Sequence, residues 1–125
     1  MTKNTVTGAD ANKAEVLSQS GLDRLAAGSP VEAVECFRAA LAADANYHEA
    51  HHGLVRALRD AGRLEQSIGA ALALTALTPN DPLAHTALSI SLQLAGHVPE
   101  AEAAAAKARI LEWKVQLQTQ EPFSK

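Results

Sequence analysis

The chain has 125 residues, of which 47% are hydrophobic but only 3% aromatic, and its formal net charge is -3. This length favours one domain, and the weakly acidic balance argues against a nucleic-acid-binding surface, which is normally basic. The one cysteine, Cys36, excludes an intrachain disulfide. No apolar run reaches the roughly 18 residues that a membrane-spanning helix needs, so we expect no membrane span and a cytoplasmic location.

Residues 1–12 are polar and lack the apolar stretch of a secretory signal. We predict a disordered tail for them, a single helical domain over residues 13–120, and a short C-terminal tail over residues 121–125. Alanine supplies much of the apolar content of the domain. Because alanine is the best helix former and occupies little space, this composition favours closely packed helices.

An internal repeat organises the domain. Three Ala-Gly pairs end at Gly28, Gly62 and Gly96, and each glycine follows the previous one by 34 residues. The same offset relates other columns: Ala33, Ser67 and Ala101; Ala50 and Ala84; His51 and His85; Leu54 and Leu88; Leu58 and Leu92. A fixed period of this length indicates stacked repeats, with units at about residues 14–47, 48–81 and 82–115.

Each unit is predicted to fold as a helix, a tight turn and a second helix. In the second unit the first helix runs from about His48 to Ala61, because apolar residues recur there at helical spacing. Gly28, Gly62 and Gly96 end the first helices, since a left-handed backbone conformation is readily adopted only by glycine.

Capping residues mark the predicted helix starts. Asn46 is expected to cap the second unit, with Glu49 completing a capping box. Ser29 precedes Pro30, a residue favoured at the first helical position. Asp81 opens the third unit in the same manner.

The last helix begins near Val98 and meets no stop signal until Pro122, so it is predicted to exceed 20 residues. No further unit follows to cover its apolar side chains. Two arrangements satisfy them: the helix caps its own stack, or it pairs with a second copy of the chain. The residues assigned to capping or self-association are Ile110, Leu111, Trp113, Val115 and Leu117.

These features resemble the tetratricopeptide repeat family over roughly residues 13–113. The residues that carry the resemblance, besides the period, are Ala33, Ser67, Ala101, Phe37 and Pro79. His51 and His85 depart from the pattern, because the family often has a large aromatic residue at those places. The resemblance implies an all-α, right-handed α-solenoid of three helix–turn–helix repeats with an extended C-terminal helix.

The resemblance also implies a concave groove lined by the first helices, which the family commonly uses to bind peptides. Projection of the helical pattern assigns to it Leu22, Leu25, His52, Arg56, Arg59, Thr86, Ile90, Gln93 and Leu94. The centre of the groove is expected to be cationic and to be flanked by apolar residues of the neighbouring units. The expected function is that of a non-catalytic adaptor, scaffold or assembly chaperone, which holds a peptide or helix of another protein and needs no cofactor.

One specific activity of the family is disfavoured. Members that grip the acidic C-terminal tails of heat-shock chaperones use Lys, Asn and Arg at set places on the first helices. Here those places hold Ser18, Leu22, Gly53, Leu83 and Ala87. The carboxylate-gripping pattern is therefore absent.

Two alternatives come from other classes of function. The first is a self-associating scaffold, for example a homodimer, built on the long last helix. The second is a small metal- or ligand-binding protein, because His48 and His52 have the i, i+4 spacing of helical zinc ligands.

Cys36 is expected to be a buried structural thiol. Nucleophile-elbow and phosphate-loop motifs are absent from the sequence, so no enzymatic activity is expected.

Overall fold

The computed structural model describes residues 7–119, and every regular element in that range is an α-helix. The helices pair in chain order into three helix–turn–helix units, which stack one on the next. Their bounds are α1 Gly8–Ala26, α2 Pro30–Ala43, α3 His48–Asp60, α4 Leu64–Leu77, α5 Pro82–Leu94 and α6 Val98–Thr119. The predicted all-α solenoid of three repeats, with a long last helix, is confirmed.

The first helix begins earlier than the sequence indicated. Residues 1–12 were assigned to a tail, whereas α1 starts at Gly8. The physical reason is a cap at Thr7, whose side-chain oxygen accepts a hydrogen bond from the backbone N–H of Asp10 at 3.0 Å. The rest of the predicted tail, residues 1–6, and the predicted C-terminal tail, residues 121–125, lie outside the described residues.

The turns inside the repeats are built identically. Gly28, Gly62 and Gly96 have φ values of 79°, 78° and 89°, which confirms the predicted left-handed positions. The residue after each glycine donates its backbone N–H to a carbonyl five residues earlier; for example, the N–H of Ser29 lies 2.8 Å from the oxygen of Arg24. These bonds satisfy carbonyls that the ending helix leaves unpaired.

The helix starts follow the prediction less closely. Asp81 does cap α5, since its carboxylate accepts the N–H of Leu83 at 3.0 Å. Asn46 is not a cap: Tyr47 occupies that position of α3 without a side-chain bond, while the N–H of Asn46 is donated to the carboxylate of Asp44. Ser29 occupies the cap position of α2 but makes no side-chain capping bond.

The core of the first two repeats centres on Phe37, the largest fully buried side chain in the described residues, and a second cluster lies between α3, α4, α5 and α6. The ring of Phe37 points from α2 into the space between α1 and α3, where Gly21 and Gly53 face it. A Cβ atom built on Gly21 would lie only 2.6 Å from the Phe37 Cζ atom, and one built on Gly53 would lie closer still. The glycines therefore create the slot that the ring occupies.

The two sides of the stack differ in how closely their helices approach. α1 contacts α3 and α3 contacts α5, whereas within residues 7–119 the even-numbered helices contact only odd-numbered ones. A stack bends toward the side on which its helices lie closer together. The inner, concave wall is therefore formed by α1, α3 and α5.

Candidate binding groove

A groove opens on this inner wall where α1 meets α3, and it has a volume of about 380 Å³. It is lined by Leu22, His48, Glu49, His52, Gly53 and Arg56. Five of these residues come from α3, and each follows the previous one by one or three positions, which places them on one helical face. Leu22 supplies the opposite wall from α1.

The structure brings together three of the residues that the sequence assigned to this surface, namely Leu22, His52 and Arg56. Sequence reasoning missed Glu49 and Gly53 as members of the lining. Both could have been found from spacing alone. Glu49 lies three residues before His52, and Gly53 lies three residues before Arg56, on the same helix.

Other assigned residues lie elsewhere. Leu25 is half-buried, packs against the core cluster around Phe37, and does not line this cavity. Ser18, one of the places considered for chaperone-tail recognition, is only 3% exposed, and its hydroxyl has no hydrogen-bond partner within residues 7–119. Arg59 is half-buried and does not line the cavity.

The α5 residues assigned to the groove lie outside this cavity. Ile90 and Leu94 are exposed, as are Thr86 and Gln93, and they extend the inner wall toward the third unit. Leu83, at the start of the same helix, is also exposed. The inner wall thus continues from the α1–α3 groove onto an exposed surface of α5 with several apolar side chains.

The charge of the groove is weaker than the sequence indicated. A cationic centre was expected from Arg56 and Arg59, but the Arg56 guanidinium lies 3.7 Å from the carboxylate of Asp60, one helical turn away. Glu49 adds a second carboxylate to the lining. Both groups are exposed in the Arg56–Asp60 pair, so a ligand carboxylate can compete for the guanidinium.

His52 is the titratable group most affected by the groove. Partial burial lowers the pKa of His52 from its ordinary value of 6.5, and the nearby His48 acts in the same direction. Asp81 and Glu49 oppose this by favouring the charged ring, but they do not outweigh burial. His52 is therefore a neutral imidazole at neutral pH, able to donate one hydrogen bond and accept another.

The two histidines that share a repeat column have a structural role. The Nε2 atom of His51 lies 2.8 Å from the carbonyl oxygen of Ala45, and the Nε2 atom of His85 lies 2.8 Å from that of Pro79. In both units the bond spans six residues and ties the start of a first helix to the loop before it. These rings are consequently not groove residues.

The candidate metal ligands and the cysteine can also be placed. His48 and His52 both line the groove, but residues 7–119 contain no cluster of three His, Cys, Asp or Glu side chains arranged to hold a metal ion. Cys36 was expected to be buried, yet it is half-buried on α2. The inward-facing positions beside it are taken by Val34 and Phe37.

The residues assigned to capping or self-association divide into two groups. Leu111 is buried, as are the alanines that precede it on the face of α6 that packs on α5. Ile110, Trp113, Val115 and Leu117 are exposed. Every residue from 112 to 119 is exposed, because the last turns of α6 run past the start of the shorter α5.

In the part of the chain that the structure describes, no helix combines the length and apolarity required to cross a membrane.

Solved structures with the same fold include MamA, with a TM-score of 0.78 and 20% identity over 84% of this chain and 61% of that one. The type III secretion translocator chaperone SycD of Yersinia enterocolitica has a TM-score of 0.77 and 18% identity, covering 90% of this chain and 89% of that one. The second tetratricopeptide domain of Spaghetti (RPAP3), bound to the HSP90 peptide SRMEEVD, has a TM-score of 0.75 and 18% identity, covering 84% and 99%.

At these identities the likeness concerns the fold, and this chain spans 61% of the MamA chain. No curated protein matches the chain in sequence. The tetratricopeptide repeat family model, however, matches residues 24–90, which is more than half of the chain. Together with the three stacked helix pairs and their 34-residue period, this match shows that the chain belongs to the tetratricopeptide repeat family.

Proposed function

We propose that this chain is a protein-interaction module whose inner wall holds a peptide or helical segment of another protein. The observation that carries the proposal is the open groove between α1 and α3, which is accessible on a wall that the domain's own described residues leave uncovered. Four of its six lining residues are polar, but the surface that they and Leu22 expose to the groove is mostly carbon. A preformed concave site with an apolar surface and a few polar groups is typical of ligand recognition. The proposed role is binding without catalysis.

The lining suggests which side chains the segment presents. Gly53 lacks a side chain and Leu22 is 45% exposed opposite it, so an apolar side chain of the ligand can be buried between them. Arg56 and His52 lie beside this position and would meet a carboxylate or the C-terminal end of a helix. Ile90 and Leu94 on α5 offer a second apolar contact to a segment that continues along the wall.

Recognition of a chaperone tail, as in the Spaghetti complex, is not the mode we propose. The places that would carry Lys, Asn and Arg hold Ser18, Leu22, Gly53, Leu83 and Ala87. Ser18 is buried and none of the five carries a charge. The proposed ligand is therefore anchored by an apolar side chain, with its carboxylate as a secondary contact.

Site-specific photo-cross-linking tests the proposal. A photoreactive phenylalanine is placed at Leu22 in the groove or, as a control of similar exposure, at Leu72 on α4. In lysate of the cells that express the chain, we expect a discrete adduct from position 22 and none of the same mass from position 72. Arg56→Glu should weaken the adduct, whereas Arg38→Glu on α2 should not.

Two results would contradict the proposal. One is an identical adduct from both positions, which would indicate non-specific capture. The other is a specific adduct from position 72 alone, which would move the interaction to the outer side of the stack. Circular dichroism of each variant measures its helical content, so a variant that loses the adduct but keeps its helices has lost binding and not folding.

A further inference from the structure

α6 carries two apolar seams on nearly opposite faces. The inner seam is buried along α5 and consists of Ala101, Ala104, Ala108 and Leu111. The outer seam consists of Ala103, Ala106, Ile110, Trp113 and Leu117. Its members alternate at spacings of three and four residues, which is the a/d pattern of a coiled-coil helix.

The large side chains of the outer seam are uncovered. Ile110, Trp113 and Leu117 are 52%, 61% and 55% exposed. The seam is narrower than the arc of about 100° that a helix buries against a globular core, so it matches the contact made by one partner helix.

Cations flank the central part of this seam on both sides. Lys107 and Lys114 occupy the positions next to it on one side, and Arg109 lies next to it on the other. All three residues are exposed. In coiled coils these flanking positions form the interhelical ion pairs that select the partner. A partner with acidic residues at the matching positions would therefore be complementary.

A second copy of the chain fits this charge pattern poorly. In an antiparallel pair that joins Ile110 to Trp113, Lys107 of one helix would face Lys114 of the other. In a parallel pair, Arg109 would face Lys114 beside Ile110 and Trp113, while Glu102 would face Lys107 beside the smaller Ala103 and Ala106. Both arrangements therefore oppose like charges next to the large apolar side chains of the seam, which disfavours self-pairing.

A further repeat of the same stack also fits poorly. Val34 in α2 and Ile68 in α4 are buried where each helix packs on the following unit. The residue in the same column of α6, 34 positions on from Ile68, is the exposed Glu102. At this column, α6 presents a charged side chain where the two preceding units present a buried aliphatic one, which disfavours the packing of a further repeat.

We propose that the outer seam of α6 binds an amphipathic helix of another protein whose apolar stripe is flanked by acidic residues. This site is separate from the groove on the inner wall and does not depend on it. A membrane surface is the less favoured occupant, because interfacial helices concentrate their apolar residues on a single face. α6 divides its apolar residues between two faces, and α5 occupies one of them.

A designed peptide serves as the probe. It has about three heptads, with Leu at the a and d positions and Glu at the e and g positions, and it carries a fluorescent label. A second peptide replaces each Glu by Lys. Trp113 is the single tryptophan of the chain, so its emission reports directly on the seam. We expect the Glu peptide to bind and shift that emission to the blue, and the Lys peptide to bind roughly tenfold more weakly or worse.

Variants of the intact chain locate the contact. Ile110→Glu should reduce the affinity for the Glu peptide at least about tenfold, whereas Leu72→Gln, at an exposed leucine on α4, should leave it unchanged. The pair Lys107→Glu and Lys114→Glu should reverse the preference, so that the Lys peptide binds more tightly. Circular dichroism confirms that each variant keeps its helical content.

Four results would overturn the proposal: equal affinity for the two peptides, binding of neither, a blue shift of Trp113 when the chain alone is concentrated into dimers, or a blue shift with vesicles of anionic lipid. The third would identify a second copy as the occupant, and the fourth a membrane. None of them bears on the groove at Leu22, so failure here leaves the proposed function standing.

Discussion

The ring of Phe37 lies directly beneath Gly53, so close that a Cβ atom on this glycine would overlap the ring. Gly53 also lines the groove on its other side. One missing side chain therefore serves two purposes: it admits the largest core residue and it keeps the binding surface open. Packing of the first two repeats and access to the groove are coupled at this position.

Substitution of Gly53 by Ala should destabilise the domain. The added methyl group must displace the fully buried ring of Phe37, and overpacking of this kind reduces the free energy of unfolding by about 1–3 kcal/mol. Gly69 is the matched control, because it lies within α4 and a Cβ atom there would meet nothing within 4 Å. Gly69→Ala should stabilise the domain by about 0.5–1 kcal/mol through helix propensity.

Urea denaturation of the two variants measures this difference. A double variant that adds Phe37→Leu to Gly53→Ala should be more stable than the sum of the single changes indicates, since the smaller side chain vacates the slot. If Gly53→Ala were as stable as the unmodified chain, the close approach of ring and glycine would be refuted.

The column histidines should contribute to stability through their hydrogen bonds. His51→Phe and His85→Phe keep a ring but remove the donor to the carbonyls of Ala45 and Pro79. We expect each to reduce the free energy of unfolding by about 0.5–1.5 kcal/mol, and the two losses to add in the double variant. His48→Phe, at an exposed position, should change stability by less than about 0.5 kcal/mol. An increase in stability for either column variant would show that burial of the ring outweighs the bond.

His97 should make the domain more stable in mild acid. Its Nε2 atom lies 3.0 Å from the Glu65 carboxylate, and this hydrogen bond, together with the charge of Glu65, raises the pKa of His97 above 6.5. A raised folded-state pKa means that the stabilisation is complete below 6.5 and is lost as the pH rises through the folded-state value. Proton NMR titration should give a midpoint above 6.5, which Glu65→Gln returns toward 6.5. An unchanged midpoint in Glu65→Gln would rule out the pairing.

His52 should show the opposite dependence. Burial lowers the pKa of His52, so below 6.5 the unfolded chain binds more protons than the folded one, and stability decreases as the pH falls. His52→Gln should remove this part of the pH dependence. In the same NMR titration, the midpoint of His52 should lie below that of His97; a midpoint at or above 6.5 would mean that the ring is solvated.

Much of the fold could be predicted from the period of 34 residues. The glycines at 28, 62 and 96 adopt the left-handed conformation that the repeat requires, because no other residue type does so without strain. The start of α1 was missed because Gly8 lies before the first repeat, where the 34-residue alignment offers no equivalent helical residues in the other units. Asn46 was misassigned because a cap depends on the backbone path through Asp44 and Tyr47, which residue type alone does not determine.

The candidate groove was predictable only in part. Helical projection correctly places Leu22, His52 and Arg56 on one surface, because the angle around a helix follows from residue number. Leu25 lies about 60° around α1 from Leu22 and near the end of that helix, where it packs on the core cluster. Distances between helices decide which residues are covered, and these depend on side-chain volumes across several elements. The pairing of Arg56 with Asp60, four residues apart on one helix, could by contrast have been predicted from spacing.

Mapping of a bound segment onto the chain by NMR tests the central claim most directly. The segment cross-linked to position 22 is synthesised and added to the isotopically labelled chain, and backbone amide shifts are recorded. We predict that the largest changes fall on Leu22, Glu49, His52, Gly53 and Arg56. Changes confined to α2 and α4, or to residues 110–117, would contradict the assignment of the inner wall as the binding surface.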